Sequence, residues 1–236
     1  NLIETYVVLE LILSLIATFS VILIYTFMTF LAEIDLMIYA MSMLLGFLIG
    51  MEIPLVTRIN SEYETLNTNI SGMMENDYYG SLIGGLFFAF IGISFLGLTY
   101  TPFVVGSINL IVALCVLYYF RDLMRKDLFK KLRLVGGALI VVFVLGLVFS
   151  KQIVFYGNQT RFNEKIVFSE QTPYQQITIT QWRDNYQLYL NQGKQLSTFD
   201  EWMYHEPLVH PVMGLTKGPV DVLVMGAGDG CAIREL

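Results

Sequence analysis

Charge is scarce in this chain: 14% of its 236 residues are Asp, Glu, Lys or Arg, against 55% hydrophobic residues and a mean hydropathy of +0.60. That balance excludes a purely soluble fold and makes a membrane protein the first expectation. Basic residues are scarcer than acidic ones, 14 against 20, for a net charge of −6. Nucleic acid, whose phosphates need a basic surface, is thereby excluded as a partner, whereas cationic ligands are compatible. Cysteine is nearly absent. Cys115 lies in an apolar run and Cys231 in a glycine loop, so neither a disulfide framework nor a zinc site is expected from them. The two histidines, His205 and His210, are five apart with Pro207 between them. A zincin helix needs them four apart on one face, so no metal is expected there. No Gly-x-Ser-x-Gly elbow supports a hydrolase. No basic n-region with a small-residue cleavage site precedes the first apolar run, which therefore reads as a spanning helix rather than a signal peptide. The chain opens on Asn1 and stops at Leu236 inside what reads as the first helix of a new domain, the pattern expected of a fragment.

What is abundant is apolar sequence. From the N-terminus to Ser150 one stretch follows another, each about long enough to cross a ~30 Å hydrocarbon core as a helix. Five spans are expected in a transmembrane region covering 1–150, at residues 5–31, 36–56, 78–98, 102–120 and 134–150. Between them lie a Glu33/Asp35 turn, a polar loop, a Thr99 to Pro102 turn and a basic loop. The pairs Gly46/Gly50 and Gly80/Gly84 have the small-xxx-small spacing that lets helix backbones approach; the alternative is that glycine is simply common in membrane helices. Glu10 and Glu52 stand in or at the edge of apolar runs, where a charge is costly unless it meets a cavity, a partner or the interface. Each either serves a function or sits at the interface, the latter favoured for Glu52 by Pro54 and Arg58 close behind it.

After Lys151 the composition turns polar. Alternation in 166–168, 177–179 and 186–190, punctuated by Pro173, Asp184-Asn185 and 191–193, predicts a small antiparallel β domain over 151–218. Thr198-x-x-Glu201 has the spacing of a capping box, with Pro207 and Pro211 limiting the helix that follows. Gly218-Pro219 then predicts a turn and 220–225 a buried strand, running into the glycine loop of Gly226, Gly228 and Gly230. Strand, glycine turn and helix over 219–236 read as the start of an α/β Rossmann-like domain, in which a ligand approaches bare backbone N–H groups. NAD and FAD are disfavoured, because Cys231 replaces the last glycine of the dinucleotide fingerprint and Asp229 puts a carboxylate where a pyrophosphate must sit. A carboxylate there suits a cationic S-adenosyl compound, or else merely caps the next helix. Asp200, Glu201, Tyr204, His205 and Glu206 cluster just upstream, able to bind an amine and take its proton if folded into one cleft, or else forming a solvated charged turn.

Together, Tyr174-Gln175, Leu190-Asn191, Gln195, Asp200-Glu201, Tyr204-His205-Glu206, His210-Pro211 and 226–230 resemble, in order and spacing, the spermidine synthase family, the polyamine aminopropyltransferases. The apolar half resembles the multi-pass region fused to some bacterial members, through 50–55 and 76–80. The resemblance implies transfer of an aminopropyl group from decarboxylated S-adenosylmethionine, a co-substrate, to a diamine such as putrescine, with no metal and no permanently bound cofactor. It implies that Gln175, Gln195 and Asp229 contact the donor, that Tyr204 orients and deprotonates the amine as the catalytic residue, and that His205 lines the same pocket. It also places the family's catalytic aspartate and ribose-binding acid beyond Leu236, so that this chain alone is expected to be inactive. Gln192 before Gly193, and Ala227 and Cys231 in the loop, depart from the family's glycines.

The expected setting is an integral protein of the bacterial plasma membrane, with lipid and polyamine as partners and self-association left open. Loop 121–133, with Arg121, Arg125, Lys126, Lys130, Lys131 and Arg133, should stay cytoplasmic. One further crossing would then put the β domain outside, away from a cytosolic co-substrate. Either the last apolar run re-enters, or the bundle overrides the charge rule, or the domain works outside. The competing functions are an S-adenosylmethionine-dependent methyltransferase, which needs no Tyr204-His205-Glu206 cluster, and a polyamine transporter or sensor with Glu10 and Glu52 along its path.

Overall fold

The computed structural model describes residues 1–27, 34–61, 66–172, 174–226 and 228–236. Glu33, Pro173 and Ala227, and the expectations placed on them, lie outside the described residues. The chain forms two compact units, Asn1–Arg161 and Phe162–Leu236.

The first unit is helical: α1 (Leu2–Phe27), α2 (Ile34–Asn60), α3 (Leu66–Phe87), a π-helical segment (Phe88–Leu96), α4 (Gly97–Tyr119), a 3₁₀ turn (Arg121–Leu123) and α5 (Lys126–Gln159). Four helical stretches are long and apolar enough to cross a membrane, Leu2–Phe27, Asp35–Asn60, Thr68–Tyr119 and Lys126–Gln159. The third is 52 residues long, about 78 Å if straight, and holds both spans expected at 78–98 and 102–120. It bends sharply: Thr101 Oγ1 lies 2.8 Å from Gly92 O, although nine residues of straight helix rise about 13 Å. The bend falls at Gly97, with φ 66°, where only glycine avoids a Cβ penalty. The turn expected at Thr99 to Pro102 is therefore inside α4.

α1 is apolar on every side and is the most enclosed of these helices, as that pattern requires. It packs on α2, α4 and α5. Val7 and Leu11 of α1, Leu110, Ala113 and Leu117 of α4, and Leu132, Leu139 and Phe143 of α5 form the core. The glycines that permit close approach are not those singled out from spacing. Gly46, Gly50, Gly80 and Gly84 have nothing within 4 Å of where a Cβ would stand, whereas Gly106 sits against Thr18 and Ser14 of α1 and Gly157 against Tyr25. Spacing alone does not say which helix face meets another helix. Glu10 is buried on α1. Glu52 is not at a helix end, since α2 continues through Pro54 to Asn60.

The second unit opens with a four-stranded antiparallel meander, β1 (Lys165–Gln171), β2 (Gln176–Trp182), β3 (Asn185–Leu190) and β4 (Gly193–Ser197), in the order 1-2-3-4. Ile177 pairs with Leu190, and Leu190 with Gly193. The β3–β4 turn holds Asn191 at φ 48° and Gln192 at φ 71°, the left-handed pair that a two-residue hairpin demands and that glycine fills without strain. Gln192→Gly is expected to raise stability by about 1 kcal/mol, read as a higher denaturant midpoint for this unit.

Two short helices follow, α6 (Trp202–Gly214) and α7 (Cys231–Glu235). α6 contains both Pro207 and Pro211 and still runs 13 residues, further than those prolines led us to expect. No capping box forms: Thr198 Oγ1 instead accepts the Tyr186 N–H at 2.9 Å and faces Asn185 Oδ1, drawn off by the neighbouring strand. The strand expected at 220–225 is not one. Leu223 and Met225 are each 86% exposed, and no strand among the described residues pairs with the segment, without which an extended apolar run has neither hydrogen bonds nor cover.

Candidate active site

The second unit folds its chemistry-bearing residues around one cleft of about 970 Å³, within the range of small-molecule sites. The sheet supplies an apolar wall, Ile177, Leu188, Leu190 and Leu196, with Gln175 and Gln195 at its rim. Gln175 is set by a tight turn in which its carbonyl accepts the Thr172 N–H at 2.9 Å and its N–H donates to Thr172 Oγ1 at 3.0 Å. The head of α6 brings Asp200, Glu201, Met203, Tyr204 and His205, and the glycine loop brings Gly228 and Asp229. All five side chains expected to bind or act on substrate, Gln175, Gln195, Tyr204, His205 and Asp229, thus line the same cavity. Of the loop glycines, Gly228 does so, while Gly226 and Gly230 hold positive φ of 91° and 78° that shape the loop.

His205 is buried and fixed from two sides. Its Nδ1 lies 2.9 Å from both the backbone oxygen and Oε2 of Glu201. Both are acceptors, so Nδ1 carries the proton. Its Nε2 faces Asp229 Oδ2 at 3.7 Å. The second Asp229 oxygen accepts the Cys231 N–H at 2.8 Å, opening α7. Asp229 is therefore both a turn-former and a carboxylate presented to the cleft, the two readings its sequence position left open. Tyr204 is two-thirds exposed, its ring edge-on to His205 with centroids 5.1 Å apart. Its hydroxyl has no hydrogen-bond partner among the described residues.

Behind the cleft runs a charge network that local sequence gave no sign of. Arg234 on α7 donates through Nη2 to Glu201 Oε1 and to Glu235 Oε1, each at 2.7 Å. His210 Nε2 meets Glu235 Oε2 at 3.1 Å, so the two histidines serve different partners. The hydrogen bond from Arg234 is the main cause holding the Glu201 carboxyl below the usual carboxylate range, His205 adding to it, and Arg234 does the same for Glu235. The guanidinium is correspondingly strengthened as a cation. A carboxyl lowered in the fold adds stability above its unfolded value, about 4.3 for Glu, and loses that contribution as pH falls through the folded value. Arg234→Gln is accordingly expected to lower stability at neutral pH and to flatten the acid dependence below that point, the two proteins converging once both carboxyls are protonated. Denaturant titrations followed by tryptophan fluorescence, with Trp202 at the head of α6, measure it.

Glu201, His205 and Cys231 also bring three donor atoms within 4.8 Å of one another, a grouping the spacing of the cysteines and histidines did not anticipate. Their chemistry fits a metal poorly. Glu201 is already paired with Arg234, and burial with the Glu201 and Asp229 charges pushes the Cys231 thiol up, away from the thiolate a metal requires.

No family model matches the chain, and no solved structure matches it. Among curated proteins it is 40% identical over 231 residues to polyamine aminopropyltransferase 2 of Aquifex aeolicus, covering 98% of this chain and 46% of that protein. It is 37% identical over 239 residues to the polyamine aminopropyltransferase of Oceanobacillus iheyensis, and 32% over 236 residues to that of Leptospira interrogans, covering all of this chain and 46% and 47% of those proteins. The chain spans about half the length of the curated relatives it matches. Similarity at this level across both units means that the chain belongs to the polyamine aminopropyltransferase family, the spermidine synthases.

Proposed function

We propose that the protein containing this chain is a membrane-bound aminopropyltransferase that moves an aminopropyl group from decarboxylated S-adenosylmethionine to a diamine such as putrescine. The convergence of Gln175, Gln195, Tyr204, His205 and Asp229 on one cleft, in a chain with these relatives, carries the reading. In the reaction an amine nitrogen attacks the methylene carbon bonded to the sulfonium. A C–N bond forms as the C–S bond breaks, methylthioadenosine leaves with the bonding pair, and the surplus proton on nitrogen passes to the protein or water.

The site residues divide this work by their chemistry. The attacking nitrogen must be neutral, so the site has to accept a proton while tolerating a cationic donor. Asp229 faces the amino end of the donor, with Gln175 and Gln195 holding its polar groups at the rim. Tyr204, which lines the cleft and is two-thirds exposed, orients the attacking amine and helps draw off its proton. His205, locked by Glu201, lines the same pocket and holds the Tyr204 ring edge-on. The apolar strand wall suits methylene and thioether carbon. The loop at 226–230 is read as the opening of a Rossmann-like domain.

Four helical stretches long and apolar enough to cross a membrane support the reading of an integral protein of the bacterial plasma membrane. α5 is unbroken over 34 residues, which supports a full crossing over a re-entrant segment. Either the bundle overrides the positive-inside preference or the β domain works outside. Isothermal titration of the chain with each donor tests the function: tighter binding of decarboxylated S-adenosylmethionine than of S-adenosylmethionine supports it, and the reverse order moves the protein to the methyltransferases.

One observation favours a second reading, in which the bundle moves polyamines. Glu10 is buried on α1, and one carboxylate oxygen of Glu52 on α2 is buried with no partner among the described residues. Polyamine flux in proteoliposomes that Glu52→Gln abolishes would favour it, while unchanged flux would count against it.

A further inference from the structure

Positive charge and bare apolar surface meet on one face of α5. Lys130, Arg133, Leu134, Gly137, Ala138 and Val141 wall an open groove of about 470 Å³. Spaced three or four residues apart, or side by side, they share one helical face. The opposite face, Leu132, Gly136, Leu139 and Phe143, is buried in the core of the unit. Leu134 and Val141 are 76% and 58% exposed, and nothing lies within 4 Å of where a Cβ on Gly137 would stand. A flexible hydrocarbon chain can lie directly against the backbone there.

The charges are confined to one end of this groove and are not spent on the protein itself. Of the cations between 121 and 133, Arg121 pairs with Asp122 at 3.7 Å and Arg125 with Glu4 at 3.4 Å. Lys126, Lys130, Lys131 and Arg133 form no ion pair with any described residue. In a chain whose net charge is −6 this is a local excess of the opposite sign. It stands towards the N-terminal end of α5. From Lys130 to Val141 the helix rises about 16 Å, close to half of a ~30 Å hydrocarbon core. A charged head at Lys130 would therefore put an acyl tail along one leaflet's depth of apolar wall.

We propose that this groove binds an anionic phospholipid, its phosphate held by Lys130 and Arg133 and one acyl chain lying along Leu134, Gly137, Ala138 and Val141. The inference rests on the membrane-bound reading. The apolar wall selects a lipid over a free anion, and the cluster of unpaired cations selects an anionic headgroup over a zwitterionic one.

Native mass spectrometry of the delipidated chain in detergent tests it, with dioleoylphosphatidylglycerol, dioleoylphosphatidylcholine and inorganic phosphate as separate probes. The expected result is about a tenfold preference for phosphatidylglycerol over phosphatidylcholine, lost in the exposed double variant Lys130→Gln, Arg133→Gln and kept in Lys151→Gln, a cation outside the groove. Equal binding of the two lipids, or a preference that the double variant leaves intact, overturns the proposal. Displacement of phosphatidylglycerol by an equal concentration of phosphate overturns it too, since the groove would then read phosphate alone. Alkaline carbonate extraction of the chain from vesicles separates the two levels: release into the supernatant defeats the membrane reading itself, whereas retention together with equal lipid binding defeats only this site.

Discussion

Asp229→Asn is expected to weaken binding of decarboxylated S-adenosylmethionine about 10- to 100-fold, the loss of roughly 1.5–3 kcal/mol that a hydrogen bond to a charged group contributes. The lower end is favoured because the side chain is 28% exposed and its field is partly screened. The substitution isolates the charge. An asparagine still offers an oxygen to the Cys231 N–H that Asp229 accepts at 2.8 Å, so the start of α7 survives. Asp229→Ala removes both functions and should add about 1 kcal/mol of lost stability. A carboxylate at this position also repels the carboxylate that distinguishes S-adenosylmethionine from its decarboxylated form. Removing the charge should therefore narrow the preference between the donors as well as weaken the better one. Calorimetric titration with both donors measures the two effects together, and unchanged affinities would return Asp229 to the role of turn-former alone.

Tyr204→Phe should slow product formation about a hundredfold, the low end of what a positioned acid–base group supplies, while donor affinity stays within about twofold. The ring and its edge-on contact with His205 remain, so neither α6 nor the cleft wall has reason to move. Only the hydroxyl is lost. The expected signature is a fall in kcat for the protein containing this chain with little change in donor binding. A fall in donor affinity of the same size would instead make Tyr204 a donor-binding residue and leave the proton without its proposed acceptor.

How far the sequence revealed this arrangement depended on whether the signal was local. The β meander was legible because its strands alternate and its turns carry Asp184-Asn185 and Asn191 to Gly193, so each hairpin is specified by a few adjacent residues. The apolar spans were legible because length and hydropathy suffice for them, but their packing was not: Gly106 against Thr18 is set by which faces of α1 and α4 meet. The segment at 220–225 has the composition of a buried strand, yet composition supplies no neighbour, and the segment is exposed. In the cleft, Gln175, Gln195, Tyr204, His205 and Asp229 were named from motif order and resemblance, and the fold gathers them. Arg234 and Glu235 were missed because their pairing with Glu201 and His210 exists only once α7 lies against α6. A single arginine on a five-residue helix carries no periodic or motif signal of its own.

The central claim is tested most directly by mass spectrometry of the products made by the detergent-solubilised protein that contains this chain, given putrescine with either decarboxylated S-adenosylmethionine or S-adenosylmethionine. The proposed function predicts an aminopropyl increment on the amine that requires the decarboxylated donor and is accompanied by methylthioadenosine. A methyl increment from S-adenosylmethionine, or no product from either donor, would contradict it.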